Sequence, residues 1–515
     1  VSASTGPLGA PAPRWIARPA TLWRLGFAIV VGLGALALGR VASGLHTPLA
    51  GGLMVLGLGL AAVAAYILWR DASSGILLWL TASLIGAVST GSGVLQYDRL
   101  AFLALVAAWL TEVATGRRSV TKPGWVEALM LGFLIVTIAS AIASHQLPAL
   151  SSDVPPHYAR PISMVNTIQE AVLFPFAMFY LARQLLTERA RIVRLMWFLT
   201  AVGFYMGLTN IFTELGPNSL VFPRDILNPA AGLVTPGQGR ARGIFLNGAP
   251  TGAAIVLAFV AATFLATERT VRGRRLALAT LPVMLVGVYY THTRAPIVSM
   301  LVVLIFMAAL WRGARRWFAL TLAVLAVLAA LNLGNLTSSD RTKGGVGSSL
   351  EVQDRLNIAA TGLWAVEQKP LFGWGLGRYG ELNTDFHRTW GGTPWIRGYG
   401  DIGHNTELAI AVELGLAGLA VWLAILVAIA VSVRRAARRL PSAGVVSRRL
   451  ALGFWCAGLA WLINEGLIDM RLFPFVNAVI FVWAGMVVGA AERLPAEAQE
   501  PAAPATLPAP AGTPA

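Results

Sequence analysis

The chain has 515 residues, of which 56% are hydrophobic and only 12% charged, and its formal net charge is +16. So little polar content excludes a soluble fold of this length and makes lipid the solvent for most of the chain. The positive charge does not point to nucleic acid, because the basic residues sit in short clusters between apolar runs of about 20 residues, the length that spans a bilayer core.

In chain order, residues 1–20 are rich in Pro, Ala and Gly and carry Arg14 and Arg18. They lack the short apolar core and small-residue cleavage site of a secretory leader, so the first apolar run is expected to be retained. Apolar runs follow near 21–39, 47–69, 73–90, 99–115, 125–143, 163–186, 192–213, 247–266, 276–291, 295–311, 316–333, 404–432, 448–468 and 472–491. The expected fold is therefore an all-α polytopic membrane protein of about fourteen transmembrane helices. Residues 1–20 form a cytoplasmic N-terminal segment and 21–333 hold spans one to eleven. Residues 404–491 hold the last three spans, and the Pro/Ala-rich 492–515 form a disordered cytoplasmic tail.

Charge sets the orientation. With the N-terminus inside, every short inner loop carries at least one Lys or Arg, as at Arg117, Arg118 and Lys122 or at Arg272, Arg274 and Arg275. An even span number then returns the C-terminus to the cytoplasm. Two outer loops, 144–160 and 214–246, are of some length, and a much larger one, 334–403, separates spans eleven and twelve. Loops of that size usually bind or catalyse. The six histidines, His46, His145, His157, His292, His387 and His404, all fall on the outer side.

The outer surface also carries arginines that topology does not require: Arg240, Arg242, Arg294, Arg355, Arg378, Arg388 and Arg397. Arg294 stands at a helix junction on the membrane edge, where a guanidinium must pair, snorkel or meet an anion. Several such groups at one lipid–water boundary would suit a diphosphate, whose oxygens arginine grips bidentately. In the long loop, Gly373, Gly375 and Gly377 follow no strand and read as a tight turn rather than a dinucleotide fingerprint. Trp374 and Tyr379 beside them are placed either to stack on sugar rings or to sit in an interfacial aromatic belt. His404 opens the twelfth span, where it can take a proton from a hydroxyl or simply bond the backbone at a helix start. The outer loops contain no Asp-x-Asp pair and no zinc-type histidine spacing, so no metal and no cofactor is expected. The single cysteine, Cys456, lies in an apolar run and reads as a small buried hydrophobe.

Taken in order, several stretches resemble the bacterial O-antigen ligase and polymerase superfamily. They are Arg240-Ala-Arg-Gly-Ile-Phe-Leu-Asn247, Thr293-Arg294-Ala295, Asp354-Arg355-Leu356, Lys369-Pro-Leu-Phe-Gly-Trp-Gly-Leu-Gly377, His404-Asn405 and Val412-Glu-Leu-Gly-Leu-Ala-Gly418. The resemblance extends over about 239–489. It implies a metal-independent glycan transferase of the bacterial inner membrane with its active site facing the periplasm. The donor would be a polyprenyl (undecaprenyl) diphosphate-linked glycan. The acceptor would be a lipid A core sugar for a ligase or a growing glycan for an O-antigen or exopolysaccharide polymerase. By the same resemblance Arg240 or Arg242, with Arg294, would hold the donor diphosphate and Arg355 would assist. His404 would activate the acceptor hydroxyl, with inversion at the anomeric carbon, and Trp374, Tyr379 and Asn405 would line the acceptor side. This chain reads Asn247-Gly248-Ala249-Pro250 where the family usually has Asn-Pro-Asn.

The competing reading is a transporter or lipid-linked glycan flippase. Such a protein needs polar groups along a path through the midplane, whereas the ionisable residues here crowd one face.

Overall fold

The structure is a computed structural model and describes residues 59, 61–88, 96–145, 164–228, 239–340, 345–347, 349–394 and 403–494. Every regular element among them is helical. The apolar run at 21–39, the 1–20 segment and the tail from 495 lie outside the described residues, and so does most of the outer loop at 144–160. Of the run at 47–69, only 59 and 61–69 are described.

The chain divides into two units at Thr121. The first contains α1 (Ala61–Arg70), α2 (Ser74–Val88) and α3 (Tyr97–Ala114). Gly75 brings α2 onto α3, where a Cβ would lie 2.7 Å from Leu105 Cδ1. The buried Glu112 carboxylate accepts from the Ala72 amide at 2.9 Å and pairs with Arg118 at 2.8 Å, fixing the turn between α1 and α2 to the end of α3.

The second unit contains α4 (Trp125–His145), α5 (Met164–Leu185), α6 (Arg189–Leu215), α7 (Gly248–Thr267), α8 (Arg274–Tyr289), α9 (Arg294–Leu310) and α10 (Arg315–Leu331). It continues with α11 (Ser349–Gln368), α12 (Tyr379–Asp385), α13 (Thr406–Arg439), α14 (Arg448–Glu465) and α15 (Pro474–Glu492). Six of these helices, α4, α5, α6, α7, α13 and α15, are long and apolar enough to cross a membrane. The apolar stretches of α7 and α15 are buried almost throughout, so these two helices, hydrophobic on all sides, form the centre.

Glycine sets the closest approaches, as expected where helices associate without a hydrophobic driving force. Gly485 and Gly489 on α15 rest on α5, where an added Cβ would come within 2.1 Å of the Phe179 carbonyl and 2.1 Å of the Arg183 carbonyl. Gly207 on α6 and Gly287 on α8 make a similar crossing. At one end of this core, the Arg183 guanidinium bonds both Glu127 on α4 and Glu492 on α15.

One expectation needs correction. The run at 404–432 is not one continuous helix: α13 is interrupted at Gly415, which has φ 70° and ψ −177°. The stretch 334–403 contains α11 and α12, and α11 packs on α13. Residues 358, 361, 362 and 365 of α11 are buried, a helical spacing that presents one face to α13 and α12.

Candidate functional site

The site begins with the break in α13. A helix interrupted in mid-course leaves carbonyls and amides that must find partners, and within a membrane protein they find them in neighbouring protein. Here the partner is the Lys369–Gly377 segment. The amides of Trp374 and Gly375 donate to the carbonyls of Val412 at 2.8 Å and Glu413 at 3.0 Å, while the amides of Leu416 and Ala417 donate to the carbonyls of Pro370 at 2.7 Å and Leu371 at 3.2 Å. The backbones approach so closely that a Cβ on Gly415 would lie 2.2 Å from the Leu371 carbonyl oxygen, and one on Gly373 would lie 2.6 Å from the Val412 carbonyl oxygen. This explains why the two sequence motifs, Lys-Pro-Leu-Phe-Gly-Trp-Gly-Leu-Gly and Val-Glu-Leu-Gly-Leu-Ala-Gly, occur together: they are two sides of one contact.

The short N-terminal part of α13 carries His404 at its head. His404 lies just before the helix rather than in its first turn, since Asn405 is the N-cap, its Oδ1 accepting from the Leu408 amide at 2.6 Å. The Asn405 Nδ2 donates to the Gly466 carbonyl at 3.1 Å, at the end of α14. With both ends of its amide bonded to protein, Asn405 positions the backbone beside His404. Thr406 adds to the same tether, its Oγ1 accepting from the Met470 amide at 3.0 Å. Gly403, on the other side of His404, sits over the Tyr379 ring.

Beneath this head lies a buried ion network. The Arg471 Nη1 donates to Glu413 Oε2 at 2.8 Å, and its Nη2 donates to Asp469 Oδ2 at 2.7 Å. Burial works against the Arg471 charge, but Asp469 and Glu413 outweigh it and raise its pKa further. The network ties the segment of α13 that ends at the break to the turn before α15. The π turn Gln169–Leu173 inside α5 packs on the same Met470–Leu472 turn.

The second half of the site is the Arg294 junction. Arg294 is the first residue of α9, with Thr293 as the residue before the helix. The Arg240 Nε and Nη2 donate to the Thr293 Oγ1 at 3.2 Å and 3.0 Å, and the Thr293 hydroxyl in turn donates to the Thr291 carbonyl at 2.8 Å. The backbone supports this arrangement: the Ala241 amide donates to the Tyr290 carbonyl at 3.0 Å, and His292 Nδ1 bonds the Gly239 carbonyl. Gly248 is needed for the fit, since a Cβ there would lie 2.9 Å from Thr293 Oγ1. The Arg294 guanidinium is half-buried and its Nε donates to the Val346 carbonyl. Two of the expected diphosphate arginines therefore stand at one helix N-terminus, whose dipole favours an anion.

Arg242 faces elsewhere. It is 5% exposed, and its Nη2 donates to the carbonyls of Ile226 at 3.0 Å and Asn228 at 2.8 Å. Burial lowers its pKa. This arginine braces the 218–228 segment, and of the two candidates only Arg240 reaches Thr293. Arg355 lies half-buried on α11, beside Asp354 and two residues before Asn357. The Asn357 side chain holds the 390–394 stretch, accepting from the Trp390 amide at 2.8 Å and donating to the Pro394 carbonyl at 3.1 Å.

The two aromatic residues separate. Tyr379 is 1% exposed, its hydroxyl donates to the Ile358 carbonyl at 2.9 Å, and burial pushes its phenol pKa up. It is a core residue, packed with Ile358, Ala365 and Leu382. Trp374 is half-buried among Trp364 and Phe386, donates its Nε1 to the Ala365 carbonyl at 2.8 Å and carries the Lys369 ammonium 4.1 Å over its ring.

The halves are linked through α14. Its Asn464 Nδ2 donates to Ser299 Oγ on α9 at 3.0 Å, and the next turn of the chain, at Gly466, holds Asn405. Sequence reasoning did not find Asn464, Ser299, the bridging role of Thr293 or the Glu413–Arg471–Asp469 network. The available signal was ionisable and amide side chains inside or at the ends of apolar runs, which are costly in lipid and mark built sites. Among the described residues no three of His, Cys, Asp and Glu stand together as a metal site.

A helical membrane protein with a cationic helix start joined through one packed helix to a capped histidine is the class this arrangement defines. Residues 279–423 match the family model described as O-antigen ligase, and the match supports membership of the O-antigen ligase superfamily, a glycosyltransferase-like group. The matched stretch contains Arg294, Arg355, Lys369–Gly377, His404 and Gly415, and leaves Arg240 outside it. No curated protein matches the chain.

Proposed function

We propose that the chain is a metal-independent, inverting glycan transferase that moves a glycan from a polyprenyl diphosphate carrier to an acceptor hydroxyl, on the periplasmic face of a bacterial inner membrane. The observation that carries this reading is the Arg240–Thr293–Arg294 junction at the start of α9, tied through Asn464 and Gly466 to the cap that carries His404. The diphosphate would rest on Arg240 and Arg294, with Arg355 assisting. His404 would take the proton of the acceptor hydroxyl as its oxygen forms the new bond to the anomeric carbon. The bond from that carbon to the diphosphate oxygen breaks on the opposite face, and its electron pair leaves with polyprenyl diphosphate. Preorganised cations stabilise that departing charge without a general acid. The proton passes from His404 to water.

The test replaces His404 with Ala in a strain that depends on this gene, checks membrane insertion by blotting and runs the surface polysaccharide on a gel. Loss of long glycan at normal protein level is expected. Accumulated lipid-linked polymer then marks a ligase with lipid A core as acceptor, and single repeats mark a polymerase with the growing glycan as acceptor. Unchanged polysaccharide overturns the role of His404 and returns the transporter reading.

A further inference from the structure

Beyond the Gly415 break, α13 runs from Leu416 to Val433 without a charged residue and then meets Arg434, Arg435, Arg438 and Arg439. Eighteen helical residues measure about 27 Å at the helical rise, close to the roughly 30 Å hydrocarbon core of a bilayer. The arginines mark one boundary of the hydrocarbon, so the break marks the other. The Pro370–Phe372 turn is held at that depth by the Leu416 and Ala417 amides, which donate to the Pro370 and Leu371 carbonyls.

At this boundary the turn faces outward. Leu371 is 59% exposed, Phe372 is 73% exposed, and Leu416 beside them is 48% exposed. The flanking residues follow the order of a membrane interface. Lys369 precedes the apolar tip with its ammonium 4.1 Å over the indole of Trp374, so charge and indole lie at headgroup level while the tip points into the acyl chains. We infer that bilayer lipid covers Leu371 and Phe372, and that this turn anchors the 349–394 segment to the membrane surface. The inference rests on the membrane character of the helices and not on the transferase reading.

The experiment uses the full chain in a Cys456→Ala background, which removes the sole, buried cysteine. Phe372→Cys is labelled with a thiol fluorophore and reconstituted into phosphatidylcholine/phosphatidylglycerol vesicles with and without brominated acyl chains. Val427→Cys, a lipid-facing reference on α13, is 60% exposed in the native chain. The label at 372 is expected to lose its emission to the brominated lipid to an extent comparable with 427. A label at 372 that keeps its emission while 427 is quenched overturns the anchor. Quenching at 372 that appears only when the protein is diluted in lipid also overturns it, because a second copy of the chain then covers the turn. Phe372 is mostly exposed, so its replacement removes little packing, and Leu371→Cys provides an independent reading of the same turn.

Discussion

Arg471, on the turn before α15, bonds Glu413, on the segment of α13 that ends at the break, at 2.8 Å, with both side chains almost fully buried. Asp469 completes the network from the same turn as Arg471. Removing one partner of such a group strands charge in a low-dielectric interior. Arg471→Met is therefore expected to cost about 3–5 kcal/mol, read as loss of the monodisperse peak after heating in detergent. Arg471→Lys should recover only part of the stability, because an ammonium cannot match the two-armed fit of a guanidinium to two carboxylates. Full stability in Arg471→Met would show that the network does not hold α13 to the α15 turn.

The glycine-rich contact makes a graded prediction. Gly415 and Gly373 both have positive φ and both lie against the backbone of the other segment. Gly377 also has positive φ, 78°, but a Cβ there would meet nothing within 4 Å. Gly377→Ala should cost only the left-handed strain of about 1–2 kcal/mol, whereas Gly415→Ala and Gly373→Ala force two main chains apart and should abolish stable insertion. Equal losses for all three, by heating or by limited proteolysis, would remove the contact as the cause.

Arg240 and Arg242 differ in what they touch, and the difference can be measured. Arg242→Ala leaves the Ile226 and Asn228 carbonyls without their donor and is expected to lower thermal stability. Arg240→Ala should leave stability near that of the native chain and remove glycan transfer, because its partner Thr293 keeps its own bond to the Thr291 carbonyl. The reverse pattern, with Arg242→Ala stable and inactive, would transfer the donor role to Arg242.

Much of the helical order could be read from hydrophobic period and length. The apolar runs at 125–143, 247–266 and 472–491 correspond closely to α4, α7 and α15. The break at Gly415 could not be read, because Leu-Gly-Leu-Ala-Gly has the same hydropathy whether or not the helix continues through it. What interrupts the helix is a segment about forty residues away in sequence that supplies replacement hydrogen bonds. The place of Arg294 at a helix start was legible from the sequence, as was that of His404 beside the head of a span. For Asn405 and Tyr379 the sequence shows a polar or aromatic group, but not that the backbone around it takes up its hydrogen bonds. Thr293 lay within a stretch that carries the family resemblance, but nothing in the sequence showed that its hydroxyl joins Arg240 to the Thr291 carbonyl.

The cap at Asn405 gives the last prediction. Its Oδ1 ends the helix that follows His404, and its Nδ2 fastens that end to Gly466. Asn405→Asp keeps the acceptor for the Leu408 amide but loses the donor to Gly466, while Asn405→Ala loses both. The Ala variant should lose about 1 kcal/mol of stability from the missing cap, and the Asp variant should lose less. Glycan transfer should nevertheless fall in both, because both release the tether to α14 that sets His404 relative to the α9 junction. If the Asp variant transfers glycan at the native rate, the Gly466 bond does not position His404, and the network at Glu413 and Arg471 alone sets the head of α13.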